Sequence, residues 1–151
     1  MNYKLIKITE NDYNFIYNLK KNAYMKYVDQ IWGWNEELQK QYFEKFIEKY
    51  IDNIYLIELD NKIIGFYNDE YLDNGDYELG NICIIPEYQG KGIGTKILED
   101  ILELHKDKNI HIQYFKQNPV GNLYARLGFI PNGETDYHYQ MIKYKEKKLK
   151  K

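Results

Sequence analysis

Residues 82–95, Ile-Cys-Ile-Ile-Pro-Glu-Tyr-Gln-Gly-Lys-Gly-Ile-Gly-Thr, constrain this chain more than any other stretch. An apolar strand runs into a turn, glycines follow at 90, 92 and 94, and an amphipathic helix comes next. Glycine has no Cβ, so the backbone can adopt positive φ and approach a ligand closely. A helix N-terminus adds unpaired N–H donors and the positive end of the macrodipole. Together these features make an anion cradle, most often for phosphate. The plainer reading is a flexible turn, but alternating glycines would then lose backbone entropy without return.

Two common glycine loops fit poorly. A P-loop ends in Gly-Lys followed by Ser or Thr, whereas Gly90 is followed by Lys91, Gly92, Ile93, Gly94, Thr95 and Lys96. A dinucleotide fingerprint needs a third glycine where Thr95 stands, and an acidic residue at the end of the next strand. The strand around Ile110–Phe115 ends without one.

The run reads better as Gln-x-x-Gly-x-Gly, using Gln89, Gly92 and Gly94, with Pro86 before it and Ile97-Leu98 after it. Downstream lies Asn118-Pro119-Val120-Gly121-Asn122-Leu123-Tyr124-Ala125-Arg126-Leu127-Gly128-Phe129. In this order the two motifs resemble those of the GNAT superfamily of acyl-CoA-dependent N-acetyltransferases. The resemblance covers roughly residues 54–142. Gln30-Ile31-Trp32-Gly33-Trp34 is similar to a poorly characterised bacterial subgroup of the family and names no acceptor.

The element pattern is β-α-α-β-β-β-α-β-α-β-β. Tyr3–Ile8 alternates as a strand, and Thr9 with Asp12 starts a helix to about Tyr27. Trp32-Gly33-Trp34 reads as a loop. Asn35 caps a second helix to about Lys49, with Leu38, Tyr42, Phe46 and Ile47 at helical spacing. Strands Ile54–Leu59 and Lys62–Asn68 meet at Asp60-Asn61, and a second hairpin turns at Asp73-Asn74-Gly75-Asp76 into Tyr77–Ile85. A helix over about Ile93–Lys106 buries Ile97, Leu98, Ile101 and Leu104. Asn109–Phe115 is a strand, Pro119–Leu127 a helix stopped by Gly128, and Phe129–Ile130 pairs with Tyr137–Tyr144 around Pro131-Asn132-Gly133. The resemblance implies that this α/β pattern is the GNAT fold, a mixed central sheet flanked by helices with splayed parallel strands at the coenzyme site.

The 151 residues are most simply one domain, 1–151. A net charge of −2 gives no bulk attraction to nucleic acid. The basic run Lys143–Lys151 reads as a solvated terminus. Cys83 is the only cysteine, which excludes an intrachain disulfide and suits a reducing cytoplasm. Lys4 and Lys7 argue against a signal peptide, and no apolar run approaches the ~20 residues that span a bilayer. His105, His111 and His138 lack metal-ligand spacing, so no metal is expected, and His105 reads as helix surface. The 17 tyrosines leave codon bias, a packed core and an aromatic acceptor pocket open.

The resemblance implies acetyl-CoA as co-substrate. Its diphosphate would rest on the main chain of Gly90, Lys91, Gly92, Ile93, Gly94 and Thr95 within the motif opened by Gln89. The pantetheine arm would add to the strand at Ile82, Cys83 and Ile84, parted from Asn109–Phe115. Asn118 would contact that arm or the strand opening, the plainer reading being a helix N-cap directly before Pro119, and Asn122 would assist. Tyr124 would protonate the departing thiolate, since a phenol with pKa about 10 keeps its proton at neutral pH; the plainer reading is a core tyrosine. Glu78 is the base expected from the resemblance, with an ordinary strand carboxylate or a water chain as alternatives, because Gln113 on the following strand cannot act as one. Cys83 is expected to be a small buried side chain rather than an acetylated nucleophile.

The implied acceptor pocket lies on the first two helices and the last hairpin. Tyr27, Trp32, Trp34 and His138 are candidates for amine contact, beside Tyr24, Gln30, Asn35 and Glu36. The two tryptophans equally suit a packing staple between helices. The expected function is direct acetyl transfer in a ternary complex to a small-molecule, peptide or protein amine. The alternative is a non-catalytic coenzyme A sensor or docking module on the same fold. A homodimer stays open.

Overall fold

The computed structural model describes residues 2–147, so Lys148–Lys151 of the basic run lie outside the described residues. The elements follow the expected order: β1 (Tyr3–Lys7), α1 (Tyr13–Trp32), α2 (Glu36–Tyr50), β2 (Ile54–Leu59), β3 (Lys62–Tyr71), β4 (Tyr77–Ile84), α3 (Ile93–Leu104), β5 (Ile110–Phe115), α4 (Gly121–Arg126), β6 (Ile130–Glu134) and β7 (His138–Lys143). The fold is mixed α/β, with one parallel strand pair, β4–β5. Two compact units share it. One holds the chain to Asp69 with Asn81–Gly94, and the other holds Glu70–Gly80 with the chain from Thr95 onward.

In the first unit the strand order is β1-β2-β3-β4. β1 and β2 are antiparallel with Tyr3 opposite Leu59. β2 and β3 are antiparallel, with an irregularity between Ile57 and Glu58. Asp60 and Asn61 take φ of 51° and 63°, the left-handed pair that a tight hairpin requires. Thr9 N–H donates to the Asp12 carboxylate at 2.8 Å, which starts a single 3-10 turn and then α1. α1 runs past the expected stop near Tyr27 to Trp32, because no residue in Val28–Ile31 breaks it and Gly33, at φ 79°, ends it. Asn35 Oδ1 accepts the Leu38 N–H at 3.0 Å and caps α2.

The core of this unit is Ile16, Leu19, Ile47, Ile54, Leu56, Phe66 and Cys83, with Phe43, Phe46 and Tyr50 packed on it. The apolar face of α2 is therefore Phe43, Phe46, Ile47 and Tyr50. Leu38 and Tyr42, expected on that face, are exposed.

In the second unit the order is β4-β5-β7-β6. β4 and β5 run parallel with Tyr77 opposite Ile110 and Glu78 opposite His111. β5–β7 and β6–β7 are antiparallel. Pro131-Asn132-Gly133, expected as the last turn, instead lies within β6 at a register shift between Pro131 and Gly133. The turn falls at 135–137, where the Thr135 hydroxyl accepts the His138 N–H at 3.0 Å.

The buried arc of α3 runs through Ile97, Leu98, Ile101 and Leu102, whereas Leu104 is 76% exposed. α3 ends at Leu104, and His105 just beyond it continues the arc as a buried residue rather than helix surface. The His105 ring stacks on Tyr77 at 3.7 Å, with Nδ1 2.7 Å from Ile101 O and Nε2 2.9 Å from the Tyr71 hydroxyl. A carbonyl only accepts, so Nδ1 carries a proton here. Among the described residues, no helix is long and apolar enough to cross a membrane.

Candidate active site

Pro86–Tyr88 forms a single 3-10 turn after β4, started by proline. Gly90 and Gly92 follow with φ of 74° and 79°, a conformation that L side chains rarely adopt. A Cβ built on either would meet nothing within 4 Å, so open space lies above the backbone that the cradle would use. α3 begins at Ile93, which is buried. Gly94 has ordinary φ, and its added Cβ would lie 3.8 Å from Ile84 Cγ1. Tyr88 carries the Lys62 and Lys91 ammonium groups, each 5.4 Å from its ring centroid. The loop thus combines two positive-φ glycines, a helix start and two cations, and a diphosphate fits that set. Gln89 donates from Nε2 to Ile84 O at 2.7 Å, so its side chain pins the loop to the end of β4.

Cys83 is 4% exposed, and its thiol lies 3.7 Å from the Tyr24 hydroxyl. Burial pushes this thiol up to about 11, so it stays protonated at neutral pH. Its carbonyl faces Gly65 of β3, which directs the Cys83 main chain toward that neighbour. Of the three residues expected to meet a pantetheine arm, Ile82 and Ile84 therefore hold main-chain groups on the opposite edge.

On the helices of the same unit, Tyr27 is buried and Trp32 is 55% exposed. Trp34 is tied to a carboxylate: its Nε1 donates to Glu36 Oε2 at 2.6 Å. Lys21 Nζ reaches the same oxygen at 2.8 Å, and the Tyr17 hydroxyl donates to Glu36 Oε1 at 2.9 Å. These bonds, Lys21 first, hold the Glu36 carboxyl down to about 2. Burial and the Glu36 bond push the Tyr17 phenol up to about 12. Glu36 of α2 thus gathers Tyr17 and Lys21 of α1 and the Trp34 indole on one carboxylate.

The second unit carries the remaining expected residues. Glu78 sits on β4 between buried Tyr77 and Leu79. Thr95 lies in the first turn of α3. The Asn118 side-chain oxygen accepts the Val120 N–H at 3.1 Å, so it caps the turn that leads into α4. α4 is shorter than expected because Pro119 and Val120 form that turn instead of helix. Asn122 is exposed on α4, and Tyr124 is buried between Tyr114 and Phe129, at ring separations of 5.7 and 5.9 Å. The His138 ring stacks on Phe115 at 4.5 Å, and burial lowers its pKa. A groove of about 480 Å³, lined by Tyr114, Glu134, Tyr139 and Met141 among others, also lies in this unit and includes none of the expected site residues. Among the described residues, no cluster of three or more His, Cys, Asp or Glu could hold a metal.

Residues 51–131, just over half the chain and spanning both motifs, match the family model of the acetyltransferase (GNAT) domain. The chain belongs to the GNAT family. It is similar to the spermine/spermidine N(1)-acetyltransferase of Bacillus subtilis, at 39% identity over 83 residues. That match covers 52% of this chain and 55% of the relative, so the chain spans about half the length of the protein it matches. The GNAT fold recurs in the PaiA N-acetyltransferase of Thermoplasma acidophilum, whose crystal structure is a complex with coenzyme A. Its TM-score is 0.72 at 21% identity, covering 95% of this chain and 99% of that one. The ribosomal-protein-S18-alanine N-acetyltransferase of Escherichia coli shares the fold at TM-score 0.63 and 19% identity, covering 94% and 93%.

Sequence reading of this GNAT chain missed Lys62 and Gly65. Lys62 comes to the loop from β3, and no sequence signal links it to Tyr88. Gly65 could have been read as an isolated glycine within a strand, which marks close backbone approach.

Proposed function

We propose that the protein transfers an acetyl group from acetyl-CoA to a primary amine, by direct attack of the amine within a ternary complex. The observation that carries this reading is the loop at Gly90–Gly94, where positive φ and open space above two glycines coincide with the start of α3. Bound acetyl-CoA would supply an acyl thioester already activated toward amines. The main chain of Gly90–Thr95 holds the diphosphate, and Ile82 and Ile84 hold the extended arm. Tyr124 gives its phenolic proton to the departing sulfur. Glu78 takes the proton of the amine, directly or through water. Asn118 and Asn122 support the coenzyme side, and Tyr27, Trp32, Trp34 and His138 the acceptor side.

Direct attack is favoured over an acetyl-cysteine route because the only thiol is buried and protonated. The reading places the protein in a reducing cytoplasm, which suits that lone thiol. The acceptor is an amine of a small molecule, peptide or protein. Spermidine and spermine head the series to test because of the Bacillus relative, followed by a peptide with N-terminal alanine. Thiol release from acetyl-CoA, followed across these amines, is the test. Release that depends on one amine class supports the enzyme. Coenzyme A binding without amine-dependent release on any of them favours the sensor, and no binding of coenzyme A overturns both.

A further inference from the structure

β3 grips the far end of β4 through contacts of two kinds. Ile85 N–H donates to Ile64 O at 2.8 Å, an ordinary ladder bond. Four residues earlier on β4, a side chain takes the place of a strand carbonyl: Asn68, 2% exposed, accepts the Asn81 N–H at 2.8 Å and Asn81 Nδ2 at 2.9 Å through its Oδ1. Between them the Cys83 carbonyl faces Gly65. Residues 81, 83 and 85 thus turn their main chain toward β3. The two-residue period of a strand sends that of Ile82 and Ile84 to the other edge. Gln89 already occupies Ile84 O.

We propose that Asn68 is a positioning residue for the coenzyme: by seating Asn81 it sets the phase in which β4 offers the Ile82 and Ile84 main chain to an extended amide ligand. The inference rests on the acetyl-CoA reading above. Coenzyme A carries two amides along a flexible arm, which suits strand-like pairing with such an edge. Without Asn68 the half-buried Asn81 N–H loses its acceptor, and it regains one on β3 only if β4 shifts. A one-residue change of phase turns Ile82 and Ile84 toward β3. The cradle lies beyond this point and keeps its own geometry.

The experiment is residue-resolved amide hydrogen exchange on the full chain, with and without saturating coenzyme A, for the unaltered protein and Asn68→Leu. If Asn68→Leu does not fold, Asn68→Ser, which cannot overpack the site, carries the same comparison. In the unaltered protein, coenzyme A should slow exchange at the cradle amides of residues 90–94 and at Ile84. In the variant the cradle should keep its slowing, Ile84 should lose it, and the affinity for coenzyme A should fall about tenfold, the size of one or two misplaced hydrogen bonds. A variant that keeps both affinity and Ile84 slowing overturns the positioning role alone. Equal loss of slowing at the cradle and at Ile84 also overturns it, because that marks a general structural fault. No slowing anywhere in the unaltered protein overturns the coenzyme reading itself.

Discussion

Gly65→Ala tests the packing on which the whole β4 argument depends. A Cβ at this position would lie 2.2 Å from the Cys83 carbonyl oxygen, 3.0 Å from Ile84 Cδ1 and 3.2 Å from the Cys83 carbonyl carbon. The Ile84 methyl can rotate away, but the Cys83 carbonyl moves only if β4 moves. Restoring normal contact needs a shift of about 1 Å. That shift would stretch the 2.8 Å bonds from Ile85 to Ile64 and from Asn81 to Asn68 beyond useful length. Overpacking a strand interior costs about 1–3 kcal/mol, and a weakened buried hydrogen bond adds about 1 kcal/mol. The stiffer unfolded chain returns about 0.4–1 kcal/mol. The net loss is about 1–3.5 kcal/mol, or a Tm lower by roughly 2–14 °C.

Urea unfolding followed by far-UV circular dichroism measures this loss. Gly94→Ala is the control, since its Cβ meets only Ile84 Cγ1 at an ordinary 3.8 Å. A loss below about 0.5 kcal/mol for Gly65→Ala, or one equal to that of Gly94→Ala, would refute the close-approach argument.

Gly92→Val should abolish coenzyme A binding in a calorimetric titration, because a branched side chain fills the open space above the loop, and forcing φ 79° on valine should cost stability of about 1–3 kcal/mol; retained affinity contradicts the cradle. Tyr124→Phe should bind coenzyme A normally and turn over about 100-fold more slowly, measured by thiol release with the true acceptor; unchanged turnover removes Tyr124 from the acid role. Lys20 lies with its Nζ 3.6 Å over the Phe46 ring, and burial lowers its pKa to about 8. The unfolded chain binds this proton up to about pH 10, so between pH 8 and 10 the unfolded state holds more protons and stability should rise with pH. Lys20→Met should flatten that rise in pH-dependent unfolding, and an unchanged slope would place its source elsewhere.

The local signals read well where one residue type meets one backbone need. Asp60-Asn61 predicted the left-handed hairpin and Asn35 predicted its cap, because both effects act within a few residues. Helix faces read less well. Leu104 and Tyr42 have the spacing of core residues but lie exposed, while His105 fills a place that its polarity argued against. Periodicity locates an apolar stripe to within about a residue either way, and only the neighbouring strands decide its centre. The last hairpin misled for a related reason. Pro-Asn-Gly suits a turn, yet it also suits a bulge, and pairing with β7 chose the bulge.

By itself the sequence determined the order of elements, the glycine loop and the family, since these depend on residue type and spacing along the chain. The tertiary structure alone decided that Trp34 is bound to Glu36, that the Cys83 side chain on β4 is buried, and that Asn68 and Gly65 lie against the main chain of that strand. The reason is physical. Hydrogen bonds between residues far apart in the chain, and the clash that a missing Cβ avoids, exist only after distant segments have been packed to within a few tenths of an ångström.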